Sequence, residues 1–136
     1  MATSILYAGG MQWIRGLFAV AGLYDGFLGI WFVMRPLAAF EMFDVPPPNH
    51  EGYVQFPALV LIVFAIMFFR IAMDPLRRRE LILYGIGLKV AYCATVFAHH
   101  ATGGIPSMWL PWAWADLGFL VLFVAAWFTL GRTARS

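Results

Sequence analysis

The chain has 136 residues, of which 62% are hydrophobic, 18% aromatic and only 12% charged. A soluble domain carries about 25% charged residues and, at this size, buries only about 60–70% of its unfolded surface, so an ordinary water-soluble globule is excluded. The formal net charge of +2 is too small to point to nucleic acid, and the lone cysteine, Cys93, rules out an internal disulfide or a cysteine-rich metal site.

Residues 1–10 are nearly neutral and lack the basic segment of a cleavable leader, and the apolar run that follows is too long for one. Residues 12–34 therefore read as a retained membrane span, about the length a ~30 Å hydrocarbon core demands. Arg35-Pro36 ends it, since proline cannot continue a helix. Inside it Gly22, Asp25, Gly26 and Gly29 recur at helical spacing on one face. Gly22 and Gly26 form a small-xxx-small pattern that lets another helix approach closely. Asp25 on that face turns it inward. Tyr24, its neighbour, is expected to point elsewhere.

Residues 35–52 form the longest polar segment. Leu37–Phe40 with Met42 and Phe43 predict a short interfacial helix, and Pro46-Pro47-Pro48 a stiff polyproline-like piece. The second span covers residues 53–73, with Pro57 expected in its first turn. Asp74-Pro75 closes it, and Arg77, Arg78, Arg79 and Glu80 make a basic turn. The third span, residues 81–98, carries Lys89 at its middle. A short connection with Gly103, Gly104 and Pro106 leads to the fourth span, residues 109–130. The expectation is one domain, residues 1–136, folded as an all-α, polytopic membrane four-helix bundle.

The positive residues orient it. The first connection sets Arg35 against Glu41, Asp44 and Glu51, whereas the second connection and the C-terminal tail hold six arginines between them. The positive-inside rule puts both termini and the arginine turn in the cytoplasm, as an even number of spans requires. Trp109, Trp112 and Trp114 then sit at the outer interface, where an aromatic belt is expected.

A lone ammonium at bilayer depth costs about 2.5–3.5 kcal/mol on insertion scales, so Lys89 needs a partner. Asp25 lies ten residues past Arg15, hence about 15 Å deep at ~1.5 Å per residue. Lys89 reaches a similar depth from the same side, and Asp116 approaches it from the other. A buried cluster of Asp25, Lys89 and Asp116, with Tyr92 on the lysine's helix face, is the expectation. Trp112 and Phe119, on the helix of Asp116, together with Gly22 and Gly26, are candidates to line a ligand cavity. Two acids around one base leave a negative charge or a proton to place. Against a purely structural ion pair stands the reading of intramembrane charges as a working site.

His50, His99 and His100 gather near one end with Glu41, Asp44 and Glu51. Loop-bonded interfacial histidines are preferred over a zinc or copper site, since adjacent histidines on a helix point about 100° apart. No metalloprotease, phosphate-loop or nucleophile-elbow motif occurs.

The segment Leu23–Pro36 (LYDGFLGIWFVMRP) and the pattern of four short spans resemble the small DoxX-like family of bacterial four-helix membrane proteins, and Val54–Phe69, Tyr84–Cys93 and Gly103–Phe123 resemble segments of many uncharacterised bacterial membrane proteins. The similarity runs from about Leu23 to Trp127 and implies a multi-pass protein of the bacterial inner membrane. It also implies functional variety, some members accompanying quinone-linked oxidoreductases. Three functions are in view. A non-catalytic accessory subunit or partner of a larger membrane assembly, or a homo-oligomer, is preferred. A binding protein or enzyme for a quinone, isoprenoid or lipid is the alternative, with quinone or lipid the only cofactor-like molecule envisaged. An oligomeric proton-coupled transporter unit is the third. The bilayer is the one partner that all three share.

Overall fold

A computed structural model describes the backbone of residues 2–135 and the side chains of residues 10–135. Met1 and Ser136, the termini assigned to the cytoplasm, lie outside the described residues. Helix α1 spans Ala2–Met34, α2 Ala38–Met42, α3 Gly52–Met73, α4 Arg79–Thr102 and α5 Leu110–Arg135, with a single 3₁₀ turn, Ser107–Trp109, before the last. The described residues contain no strand. Four of the helices are long and apolar enough to cross a membrane, so the chain is an all-α four-helix bundle of multi-pass type.

The helices exceed the apolar runs. α1 starts about ten residues before its span and α4 continues to Thr102, because helical hydrogen bonding needs no apolar surface and stops only at a breaker. The breaker after α4 is Gly103-Gly104. Both N–H groups return to the His99 carbonyl, at 3.0 and 2.7 Å, and Gly104 takes φ 83°, a left-handed conformation glycine adopts at little cost. Pro57 is the sixth residue of α3, near the start of the helix as expected. It gives no N–H to the Tyr53 carbonyl one turn earlier.

The bundle consists of two antiparallel pairs, α1 with α3 and α4 with α5. The first pair is sealed by glycine. A methyl group on Gly29 would lie 2.7 Å from the Ala58 carbonyl oxygen, so that approach needs a bare Cα, whereas one on Gly22 would lie 2.8 Å from the Phe69 ring, which would have to swing aside. At Gly26 the nearest atom would be the Ala65 methyl at 3.5 Å, an ordinary contact.

The two pairs meet over an aromatic core in the half of the bundle that carries the arginine turn. Phe18 stacks on Phe123 with centroids 4.7 Å apart, and Phe68 closes the group at 5.3 Å from Phe123. At that end the Arg79 guanidinium lies 3.5 Å from the Trp127 ring centroid and donates to the Trp127 carbonyl oxygen at 3.0 Å. In the other half α3 and α4 diverge.

Candidate functional site

The structure brings Asp25, Lys89 and Asp116 together at the level where the two helix pairs begin to separate. The Lys89 Nζ donates to Asp25 Oδ1 at 3.1 Å, to Asp25 Oδ2 at 3.0 Å and to Asp116 Oδ1 at 2.9 Å. The ammonium is thus held by both carboxylates, the two Asp25 oxygens sharing one side of it and Asp116 Oδ1 taking another. Lys89 is fully buried and Asp25 is 1% exposed. Asp116 is the outlier: its side chain keeps 11% of its surface open, and among the described residues no hydrogen bond reaches its Oδ2. The sequence left open which acid pairs with the lysine; the lysine takes both.

Aromatic rings surround the ammonium. Its Nζ lies 5.2 Å from the Phe119 centroid and 5.7 Å from those of Phe68 and Tyr24. Such distances fit attraction to ring faces in a desolvated site. Beneath the cluster Phe18, Phe68 and Phe123 fill the bundle towards the arginine turn.

Above the cluster opens a cleft of about 800 Å³ that reaches Asp25 and Asp116. Tyr24, Leu28 and Phe32 of α1 form one wall, and Pro57, Val60 and Leu61 of α3 another. Leu88, Ala91 and Thr95 of α4 face them, while Trp109 and Trp112 close the back. Phe40 and the proline segment cover the mouth. Asp44, at φ 53°, turns the chain after α2 so that the Val45 N–H bonds to the Phe40 carbonyl at 2.8 Å. That turn lays Val45–Pro48 against the opening. Exposed Pro57, Ala91 and Thr95 on its walls leave the cleft open sideways, between α3 and α4.

Several sequence assignments change. Tyr24 does not point away: its ring lies 5.4 Å from Phe119, it lines the cleft, and its buried hydroxyl has no hydrogen-bond partner among the described residues. The spacing of four from Tyr24 through Leu28 to Phe32 was the available signal for this second inner face of α1. Gly22 and Gly26 face α3 and are absent from the cleft lining, because small residues serve close helix approach rather than leaving space. Phe119 packs around the ammonium instead of lining the cleft. Trp112 does line it, as does Tyr92, whose hydroxyl donates to the Trp109 carbonyl oxygen at 3.1 Å and does not bond to the cluster.

The three tryptophans are not one belt. Trp109 and Trp112 are half-buried, with centroids 6.3 and 5.5 Å from Phe32, and Trp114 alone is 62% exposed. The reason is spacing: positions 109, 112 and 116 share a helix face and 114 lies opposite.

The histidines stay apart from this site. The Gly52 N–H donates to His50 Nδ1 at 2.9 Å, and His99 and His100 are exposed. Among the described residues no three His, Cys, Asp or Glu side chains converge as a metal site would require. Cys93 is buried, its thiol donating to the Ala113 carbonyl oxygen at 3.4 Å.

Comparison with protein-family models, curated proteins and solved structures finds no match to this chain.

Proposed function

We propose that the chain is a membrane-embedded binding protein for an apolar small molecule, held in the cleft above the Asp25–Lys89–Asp116 cluster. The observation that carries this reading is the cleft itself: about 800 Å³ of apolar and aromatic wall converging on a few buried polar groups. Binding sites for small organic molecules have this character, with volumes of about 300–1,000 Å³. The sideways opening between α3 and α4 gives a molecule dissolved in the bilayer a direct way in. The aromatic packing of Phe18, Phe68 and Phe123 beneath the cluster makes the cleft one-sided, which favours binding over conduction.

An accessory role in a larger assembly is compatible with such a cleft, and placement in a bacterial inner membrane with the arginine turn cytoplasmic belongs to the same proposal. So does kinship with DoxX-like proteins, which rests on the residues from Leu23 to Trp127. The test is gentle extraction followed by native mass spectrometry. The expected result is a co-purifying apolar molecule, lost in Ala91→Phe, which fills the cleft from an exposed wall position. Protein that carries nothing, or that keeps its cargo after Ala91→Phe, would contradict the reading.

A further inference from the structure

The polar floor of the cleft also restricts what the head of the bound molecule can be. Lys89 is fully buried and is not part of the cleft lining, so the lysine presents no donor to a carbonyl, carboxylate or phosphate entering from above. What the floor presents to the cleft is acceptor capacity. Among the described residues none donates a hydrogen bond to Asp116 Oδ2, its side chain is the most accessible member of the cluster, and Asp116 lines the cleft. Beside it, the Tyr24 hydroxyl is buried in the same lining without a partner.

Charge points the same way. With its three members ionised, the cluster carries two negative charges and one positive. An uncompensated charge in a low-dielectric interior is costly. An anionic head would add to the excess, an uncharged one would leave a proton on Asp116 to meet it, and a single positive charge at Asp116 would cancel it directly. The walls suit a cation as well. Tyr24, Tyr92 and Trp112 line the cleft, and Trp112 lies one helical turn from Asp116. A carboxylate flanked by aromatic faces is the chemistry that holds ammonium groups.

We infer that the cleft takes an amphiphilic amine, its protonated nitrogen on Asp116 Oδ2 and the Tyr24 hydroxyl, and its apolar tail directed out between α3 and α4. This assignment rests on the cleft-binding reading above and adds the head group to it. The nitrogen donates one hydrogen bond to each oxygen, Lys89 keeps its three acceptors, and the four charged groups sum to zero. Asp25, committed through both oxygens to the lysine, positions the ammonium and does not touch the ligand.

The test uses the whole chain in neutral detergent and three probes with the same dodecyl chain brominated at its sixth carbon, ending in an amine, an alcohol or a carboxylate. Bromine quenches nearby tryptophan, and Trp109 and Trp112 line the cleft. At neutral pH the amine is expected to bind about tenfold or more tightly than the alcohol, the size of one charge-assisted hydrogen bond, and the carboxylate more weakly than either. Asp116→Asn, which leaves Lys89 paired with Asp25, should bring amine and alcohol within about twofold of each other. Alcohol or carboxylate binding as tightly as the amine overturns the head assignment and leaves the cleft reading standing. An amine preference that survives in folded Asp116→Asn overturns it too. Absence of quenching by all three probes, or quenching unchanged by Ala91→Phe, overturns the cleft reading itself. If Asp116→Asn does not fold, the ranking of the three probes on the unaltered chain decides alone.

Discussion

Neutralising the two acids one at a time should separate their contributions, because the lysine does not treat them alike. Asp25 is nearly inaccessible and accepts through both oxygens, at 3.1 and 3.0 Å, whereas Asp116 accepts once, at 2.9 Å, and faces the cleft. In Asp25→Asn an amide N–H₂ replaces an acceptor beside a buried ammonium, setting donor against donor. Breaking a buried pair from one side costs about 3–5 kcal/mol, and the remaining Asp116 bond holds the expected value to the lower part of that range. In Asp116→Asn the amide oxygen can take over the single bond, so the loss is bounded by one hydrogen bond to a charged group, about 1.5–3 kcal/mol. Lys89→Met removes the shared donor, and adding Asp25→Asn to it should recover part of the cost, with a coupling of about 1–3 kcal/mol. Thermal or dodecyl-sulfate unfolding in mixed micelles reads all four variants. Equal losses for the two asparagine changes, or strict additivity with Lys89→Met, would refute the geometry of the cluster.

The glycine seam gives a sharper contrast. Gly29→Ala drives a methyl to 2.7 Å from the Ala58 carbonyl oxygen and should cost about 1–3 kcal/mol. Gly26→Ala, with 3.5 Å available, should be neutral or gain up to about 1 kcal/mol of helix propensity; the same unfolding assay compares them. Arg79→Lys should lower stability by about 1 kcal/mol, because an ammonium cannot reproduce a planar guanidinium lying 3.5 Å from the Trp127 ring centroid; an unchanged midpoint would show that contact to be inert. For orientation, in a Cys93→Ala background, Asn49→Cys should react with an impermeant maleimide from the periplasmic side and Arg78→Cys from the cytoplasmic side. The opposite pattern would invert the proposed topology.

Lys89 made the centre of the bundle legible in the sequence, since a charge so deep must be met and only Asp25 and Asp116 lie at matching depth. The four spans were equally readable, because length and apolar content decide them. The cleft was not. Its walls are built of the same leucine, valine and phenylalanine residues that elsewhere fill a core. Whether such residues close on one another depends on how far α3 and α4 diverge, which is a tertiary property. Gly22 and Gly26 show the limit from the other side. Their spacing announced a close approach, yet could not say whether the approach was to a helix or to a ligand. Tyr24 was misplaced because α1 has two buried faces, and the glycines drew attention to one.

The order of the cluster along the chain has a consequence for how the protein is made. Of the four candidate spans in chain order, Asp25 belongs to the first, Lys89 to the third and Asp116 to the fourth. When the lysine-bearing segment leaves the ribosome, a carboxylate at the right depth is already waiting, and Asp25 can escort the ammonium into the bilayer before α5 exists. Asp116 then arrives at a pair already formed, which leaves one of its oxygens unclaimed. Glycosylation mapping of chains truncated before α5 should show α4 spanning when Asp25 is present and inserting less efficiently in Asp25→Asn. Equal insertion in the two would mean that α4 enters unaided. On this order the acid synthesised earlier is the one able to meet the ammonium during insertion, and the later acid is the one open to the cleft.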